Sequence, residues 1–286
     1  MKVVRTFSTS ANVGPGFDTL GICFDLYNEY TYEVSTEYKL VNFLDKYSNP
    51  KTNLIIKAYE EVFTFLNKKI TYIKLTQLNQ NIPNSRGLGS SASCIVAGIM
   101  IANEILNKPL SQEEVFQLAS KMEGHPDNVA PLIFGGFTCS FKENDKFLKV
   151  QLKIDSSFNF MACIPPFELS TALARSVLPK EISVKDAIFN MSHLVALIKA
   201  LENGDMELLK SGKQDLIHEP YRYPLIKQSE IVKQYAINND AICLISGAGS
   251  TLLLISKNEL NPIELLPDWR FEKVNVNNEG AYVYEK

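Results

Sequence analysis

The run Pro83-Asn84-Ser85-Arg86-Gly87-Leu88-Gly89-Ser90-Ser91-Ala92-Ser93 passes straight into an apolar segment. Residues of these types, so ordered, can build an anion site from backbone alone. Glycine tolerates positive φ and lets a ligand approach the chain closely. The first N–H groups of a helix lack intrahelical partners, and the helix dipole adds partial positive charge there. A phosphate cradle is the chemistry this suggests; a serine-capped glycine turn is the plain alternative. The run lacks the lysine of a Walker A loop and the third glycine of a Rossmann fingerprint.

Three further segments carry polar groups beside glycine. In Ser8–Gly21 (STSANVGPGFDTLG), Asn12 and Asp18 sit on a stiff loop after a strand-like stretch. They could orient a small polar ligand, or satisfy their own backbone as Asx turns. Glu123 precedes Gly124-His125-Pro126-Asp127-Asn128. A carboxylate at a helix end can hold Mg²⁺, which favours one or two carboxylates plus water and substrate phosphates; a surface turn explains it equally. Ser246-Gly247-Ala248-Gly249-Ser250-Thr251 joins two apolar runs, as a hairpin loop also would. Arginine is scarce. Arg175 follows Glu168-Leu169-Ser170-Thr171, and Arg222 ends His218-Glu219-Pro220-Tyr221-Arg222. A guanidinium fork suits a carboxylate or a phosphate, although most arginines simply face solvent.

The elements that must position these groups follow from periodicity. Strands are expected at 2–8, 26–35, 69–77, 137–141, 147–153, 158–164, 241–246, 251–256 and 280–285. Helices are expected at 53–67, at 90–106, at 112–123 behind the capping box Ser111-x-x-Glu114, and at 185–201. A short helix is expected to begin near Asn128. The 90–106 segment is apolar on nearly every side and should be buried. In 185–201, Ile188, Met191, Leu194, Val195, Ile198 and Leu201 recur at helical spacing. Lys142–Lys146 reads as a charged hairpin tip. The pattern is α+β, with a domain boundary near 150–156.

Composition narrows the field. At 286 residues the chain can form one large domain or two ordinary ones. A net charge of −3 supplies no field for nucleic acid and no polybasic run for anionic lipid. No apolar run approaches the roughly 18 residues of a transmembrane helix, and the N-terminus lacks a signal-peptide core. The five cysteines are scattered, as in a cytoplasmic protein with reduced thiols. The three histidines lack metal-ligand spacing.

The loop PNSRGLGSSAS resembles the P-x-x-x-G-L-G-S-S-A motif of the GHMP kinases. All three motifs of that superfamily occur in order, and the resemblance covers nearly the whole chain. Within the superfamily, SANVGPGFDTLG and EGHPDNVAPLIFGG are similar to the homoserine kinases; the G-x-x-x-x-x-G-E-H of galactokinases and mevalonate kinases is absent. The resemblance implies a two-domain fold. Its first domain, 1–153, would be a ribosomal-protein-like α/β unit with a left-handed βαβ crossover, and its second, 154–286, ferredoxin-like. It implies ATP bound along Pro83–Ser93, with Asn53 near the adenine and Mg²⁺ held by Ser91 or Ser90 with Glu123. Asn12, Asp18, Asn128, Thr171, Arg175 and Arg222 match positions around L-homoserine. Asp18 and Arg175 are the implied catalytic pair, Asp18 orienting more than deprotonating. A homodimer is common in the family. The third motif departs from G-x-G-P-T, reading Gly-Ala-Gly-Ser-Thr. The rival readings are a GHMP kinase for an isoprenoid alcohol or a sugar, and a non-catalytic nucleotide-binding module.

Overall fold

The computed structural model describes all residues, 1–286. Lys2–Ala11 (β1) pairs antiparallel with the long strand Leu20–Val34 (β2), with a register shift at Phe7/Ser8. Lys39–Val41 (β3) follows, then Leu54–Phe65 (α1), capped by the Asn53 side chain at Ile55 N and Ile56 N. Ile73–Gln80 (β4) begins four residues later than expected. Asn67, at φ 51°, turns the chain as α1 ends, and the first pairing with β2 is Val34 to Ile73.

Ser90–Ile105 (α2) is the central helix; nine of its residues are buried, as apolarity all round demands. Gln112–Glu123 (α3) carries the anticipated capping box and stops at Gly124 in the left-handed conformation. Val129–Phe134 (α4) is short. Phe137–Glu143 (β5) and Lys146–Leu152 (β6) form a hairpin. Its tip is only Asn144-Asp145, both at positive φ, so Lys142, Glu143 and Lys146 belong to the strands.

The second half contains Asn159–Ile164 (β7), Thr171–Ser176 (α5), Val184–Asn203 (α6), Met206–Gly212 (α7), Glu219–Arg222 (α8), Ser229–Asn238 (α9), Ala241–Ile245 (β8), Leu252–Ser256 (β9), Arg270–Val274 (β10) and Tyr282–Glu285 (β11). Its sheet runs β10-β7-β9-β8 and is antiparallel throughout. That is the strand order of a ferredoxin-like unit, with the 257–269 segment where a second crossover helix would lie. The first sheet has seven strands, and β11 is one of them, pairing with β1. Tyr282–Glu285 therefore lie with the first unit although the expected second unit runs to 286.

The apolar row of α6 is inward only in part: Leu194, Ile198 and Leu201 pack on the core. Ile188, Met191 and Val195 are exposed, while Asn190, Leu197, Ala200 and Leu201 are buried. The helix packs through its C-terminal half, where Leu197, Ala200 and Leu201 join a core with β8 and β9. Its N-terminal apolar stripe faces outward.

Candidate active site

Three glycine loops meet at one place. Gly89 caps α2 at φ 69°, and a Cβ there would run into the Thr9 hydroxyl. Gly87, at φ 73°, has the Ser246 carbonyl oxygen where a Cβ would sit. Only glycine fits either position. No side chain caps α2, so its first N–H groups are free for a ligand. The loop is stitched to its neighbours. The Ser246 hydroxyl donates to the Gly87 carbonyl at 2.7 Å, Thr251 N–H to Arg86 O at 3.2 Å, and Leu169 N–H to Ser85 O at 3.0 Å. Gly247 N–H donates to Ala11 O at 2.9 Å, and Asn12 Nδ2 returns a bond to Gly247 O at 2.9 Å.

These loops frame a cavity of about 340 Å³ lined by residues of both units. On one side are Gly87, Gly89, Ser90, Ser91 and Glu123. The Ser91 hydroxyl donates to Glu123 Oε2 at 2.7 Å, and burial raises the Glu123 pKa against that bond. Asn12, Asn128, Thr171, Arg175 and Arg222 line the same cavity. Thr9 Oγ1 fixes Asn128 by donating to its Oδ1 at 2.7 Å.

The arginine side is built by long-range contacts. Arg175 Nη1 and Nη2 donate to the two oxygens of Asp18 at 2.9 and 2.7 Å; this bond raises the Arg175 pKa. Asp18, at φ 53°, has its N–H held by Asn12 Oδ1 at 2.8 Å. Arg222 is only 1% exposed. Its guanidinium donates to Ala174 O at 3.2 Å and Gly247 O at 3.1 Å, with no carboxylate in salt-bridge range. Burial, then repulsion from Arg175, lowers its pKa to about 10, so it stays charged at neutral pH. Phe17 lies under both guanidinium groups, at 5.6 Å from Arg175 and 5.0 Å from Arg222. His218, fully buried, stacks on the Phe17 ring at 5.3 Å and meets Gly14 O at 2.8 Å. Burial lowers its pKa. Burial also pushes the Glu219 carboxyl up to about 7 while its Oε1 accepts from Ile245 N–H.

This arrangement has relatives. The sequence profile described as "GHMP kinases N terminal domain" matches residues 53–136. The homoserine kinase of Clostridium beijerinckii is 38% identical over 100% of this chain and 99% of its own. That of Clostridium acetobutylicum is 39% identical over 98% and 99%. The chain belongs to the homoserine kinase family. The fold agrees: the crystal structure of homoserine kinase from Cytophaga hutchinsonii superposes with a TM-score of 0.85 at 26% identity, covering 99% of this chain and 97% of that one.

Set against the motif residues singled out above, the structure sorts them by place. Asn12, Ser85, Gly87, Gly89, Ser90, Ser91, Glu123, Asn128, Thr171, Arg175 and Arg222 share the cavity wall. Asp18 stands behind it, on Arg175. The rest of the loop faces elsewhere. Arg86 donates to the carbonyls of Pro165, Asn84 and Pro166. Leu88 packs beside Ile82 and Ile164. Ala92 is core, and the Ser93 hydroxyl pairs with Thr6. Pro83 is not among the wall residues, while Asn84 faces a second cavity of about 200 Å³ that adjoins the first. Asn53 lines that second cavity too, but its amide is fully engaged. Its Oδ1 takes two helix N–H groups and its Nδ2 donates to Tyr47 O at 2.8 Å.

Sequence reasoning missed Phe17, His125 and the second cavity. His125 lies on the cavity wall, bonded to the buried Asp127 at 2.7 Å. Burial depresses its pKa, yet that bond and the charges of Asp127 and Glu123 outweigh this and raise it. The His-Pro-Asp spacing beside Glu123 was the one available signal.

Proposed function

We propose that this chain transfers the γ-phosphoryl group of ATP to the hydroxyl of L-homoserine, a step in threonine biosynthesis. The observation that carries this is Arg222. A buried guanidinium without a carboxylate partner is costly, and this one borders the cavity that the glycine loops also line. An anionic group of the substrate relieves that cost. An amino acid brings one anion and one cation. The Arg222 guanidinium, with Arg175 beside it, supplies the positive charge that suits its carboxylate, and Asp18 holds Arg175 in place.

Gly87 to Ser91 cradle the triphosphate, with the free N–H groups of α2 aimed at it. Glu123 and Ser91 offer hard oxygen donors, 2.7 Å apart. One carboxylate and a hydroxyl suit Mg²⁺ when phosphates and water complete its shell. Mg²⁺ there supplies charge neutralisation. Phosphoryl transfer runs through a loose transition state that positioning and electrostatics dominate. Both Asp18 oxygens accept from Arg175, so Asp18 serves as an orienting group, and the hydroxyl proton passes to phosphate.

The same reading takes residues 1–153 with the last strand as the nucleotide-facing unit and 154–281 as the other. It carries a cytoplasmic location, which five free cysteines suit. A homodimer remains part of it by family likeness alone. The test is ADP release with ATP, Mg²⁺ and L-homoserine, L-serine, L-threonine, mevalonate or galactose. Turnover with L-homoserine alone is expected. Turnover with mevalonate or galactose instead would overturn the substrate assignment while leaving the phosphate loop intact.

A further inference from the structure

Strand β4 turns Ile73, Leu75 and Gln77 toward the helices. Ile73 and Leu75 are wholly buried core residues. Gln77 ends that apolar row, 7% exposed, with a polar amide where the pattern calls for another aliphatic side chain. It sits opposite Tyr30 on β2, and residues so paired project on the same face. Both border the second cavity, which shares Ser85, Ser90 and Ser91 with the phosphate cradle.

Three buried amides stand on this wall, and two are satisfied. Asn53 is engaged as described. Asn28 Oδ1 accepts from Asn81 N–H and Ile82 N–H at 2.8 and 3.0 Å, and its Nδ2 faces the Tyr30 hydroxyl at 3.4 Å. The Gln77 backbone carbonyl accepts from Asn42, but its side-chain amide has no partner in the protein. The amide is open to the cavity that Gln77 lines, where a bound ligand can meet it. Around it, Tyr30 stacks with Phe43 at an interplanar angle of 14°, and Leu54 adds an apolar edge. A flat heteroaromatic ring fits such walls.

We infer that Gln77 reads the base of the nucleotide, selecting adenine; this rests on the ATP reading above. An amide offers an acceptor beside donors. Adenine presents a matching pair, the N6 amine as donor and N7 as acceptor, which glutamine meets with two bonds. Guanine has the O6 acceptor in place of that amine, so the glutamine carbonyl loses its partner. Asn53, a position near the adenine by family likeness, lines the same cavity while its amide holds α1 and the Tyr47 loop in place.

The experiment is calorimetric binding, without homoserine, of ATP, GTP and purine riboside triphosphate, which lacks the N6 amine. The wild-type chain should bind ATP about ten- to a hundred-fold tighter than the other two. Gln77→Leu should lose that factor for ATP and bind ATP and purine riboside triphosphate alike. If Gln77→Leu weakens all three equally and keeps their ratio, Gln77 is structural and the inference falls. Should that variant fail to fold, Gln77→Met carries the same test, and a wild-type ratio near one overturns the inference without any variant. Absence of all nucleotide binding would remove the ATP reading together with this one, whereas binding with an unaltered ratio removes this one only.

Discussion

The two walls of the main cavity are built in opposite ways. The cradle wall is local and made of backbone: Gly87 to Ser91 are contiguous, and glycine conformation with free helix N–H groups does the work. The arginine wall is distant and made of side chains: Arg175 meets Asp18 across 157 residues, and Arg222 reaches Gly247 across 25. On the proposed reading, the first wall takes the phosphate chain of ATP and the second selects the small molecule beside it, because side-chain forks have direction and spacing that backbone amides lack. Local construction thus gives the general chemistry, and long-range construction gives the specificity.

Gly89→Ala should break the first wall most completely. The left-handed conformation and the Thr9 hydroxyl leave no room for a methyl group, so ATP binding should fall by more than about a hundred-fold. Calorimetry with ATP, alongside circular dichroism to check the fold, decides it. Retained ATP affinity would show that the cradle is not where phosphate binds.

Arg175→Ala should break the second wall alone. kcat/KM for L-homoserine should fall about ten- to a hundred-fold, the worth of a charged hydrogen-bonded pair, while ATP affinity holds. Equal losses for both substrates would contradict the division between the walls. Asp18→Asn sharpens the picture further. If Asp18 only orients, kcat should fall by roughly ten-fold, far less than loss of an essential base would bring. Steady-state kinetics at saturating ATP gives the answer.

A further effect, on stability rather than on turnover, concerns the residues beside Arg222 on α8. Burial raises the Glu219 pKa to about 7 from 4.5. The folded state therefore binds a proton that the unfolded chain has released, and this group's contribution falls as pH rises from about 4.5 through about 7. The full change is on the order of 3 kcal/mol. Glu219→Gln keeps an acceptor for Ile245 N–H and should flatten that slope. Urea unfolding at about pH 5 and about pH 7.5 measures it; identical slopes in the two proteins would exclude Glu219 as the source.

The phosphate loop, the capping box at Ser111, the buried α2 helix and most strands were legible in the sequence, because each is a statement about neighbours along the chain. Asn12, Asp18, Arg175 and Arg222 were legible as candidates through motif likeness, but not as a constellation. The α6 stripe misled in part, since spacing shows which residues share a face and not which face finds a partner. Gln77 carried no signal at all: a glutamine in a strand reads as a solvent-facing residue until the fold buries it.

By itself, then, the sequence determined the glycine-serine loop at the start of α2, the secondary structure around it and the family, all carried by contiguous residues with short-range physical causes. Tertiary structure alone decided that three glycine loops meet, that Arg222 is buried without a counter-ion, that β11 returns to the first sheet, and that Asn53 is engaged while Gln77 is free. Those depend on which distant surfaces exclude water from one another, and no local pattern in the chain encodes that.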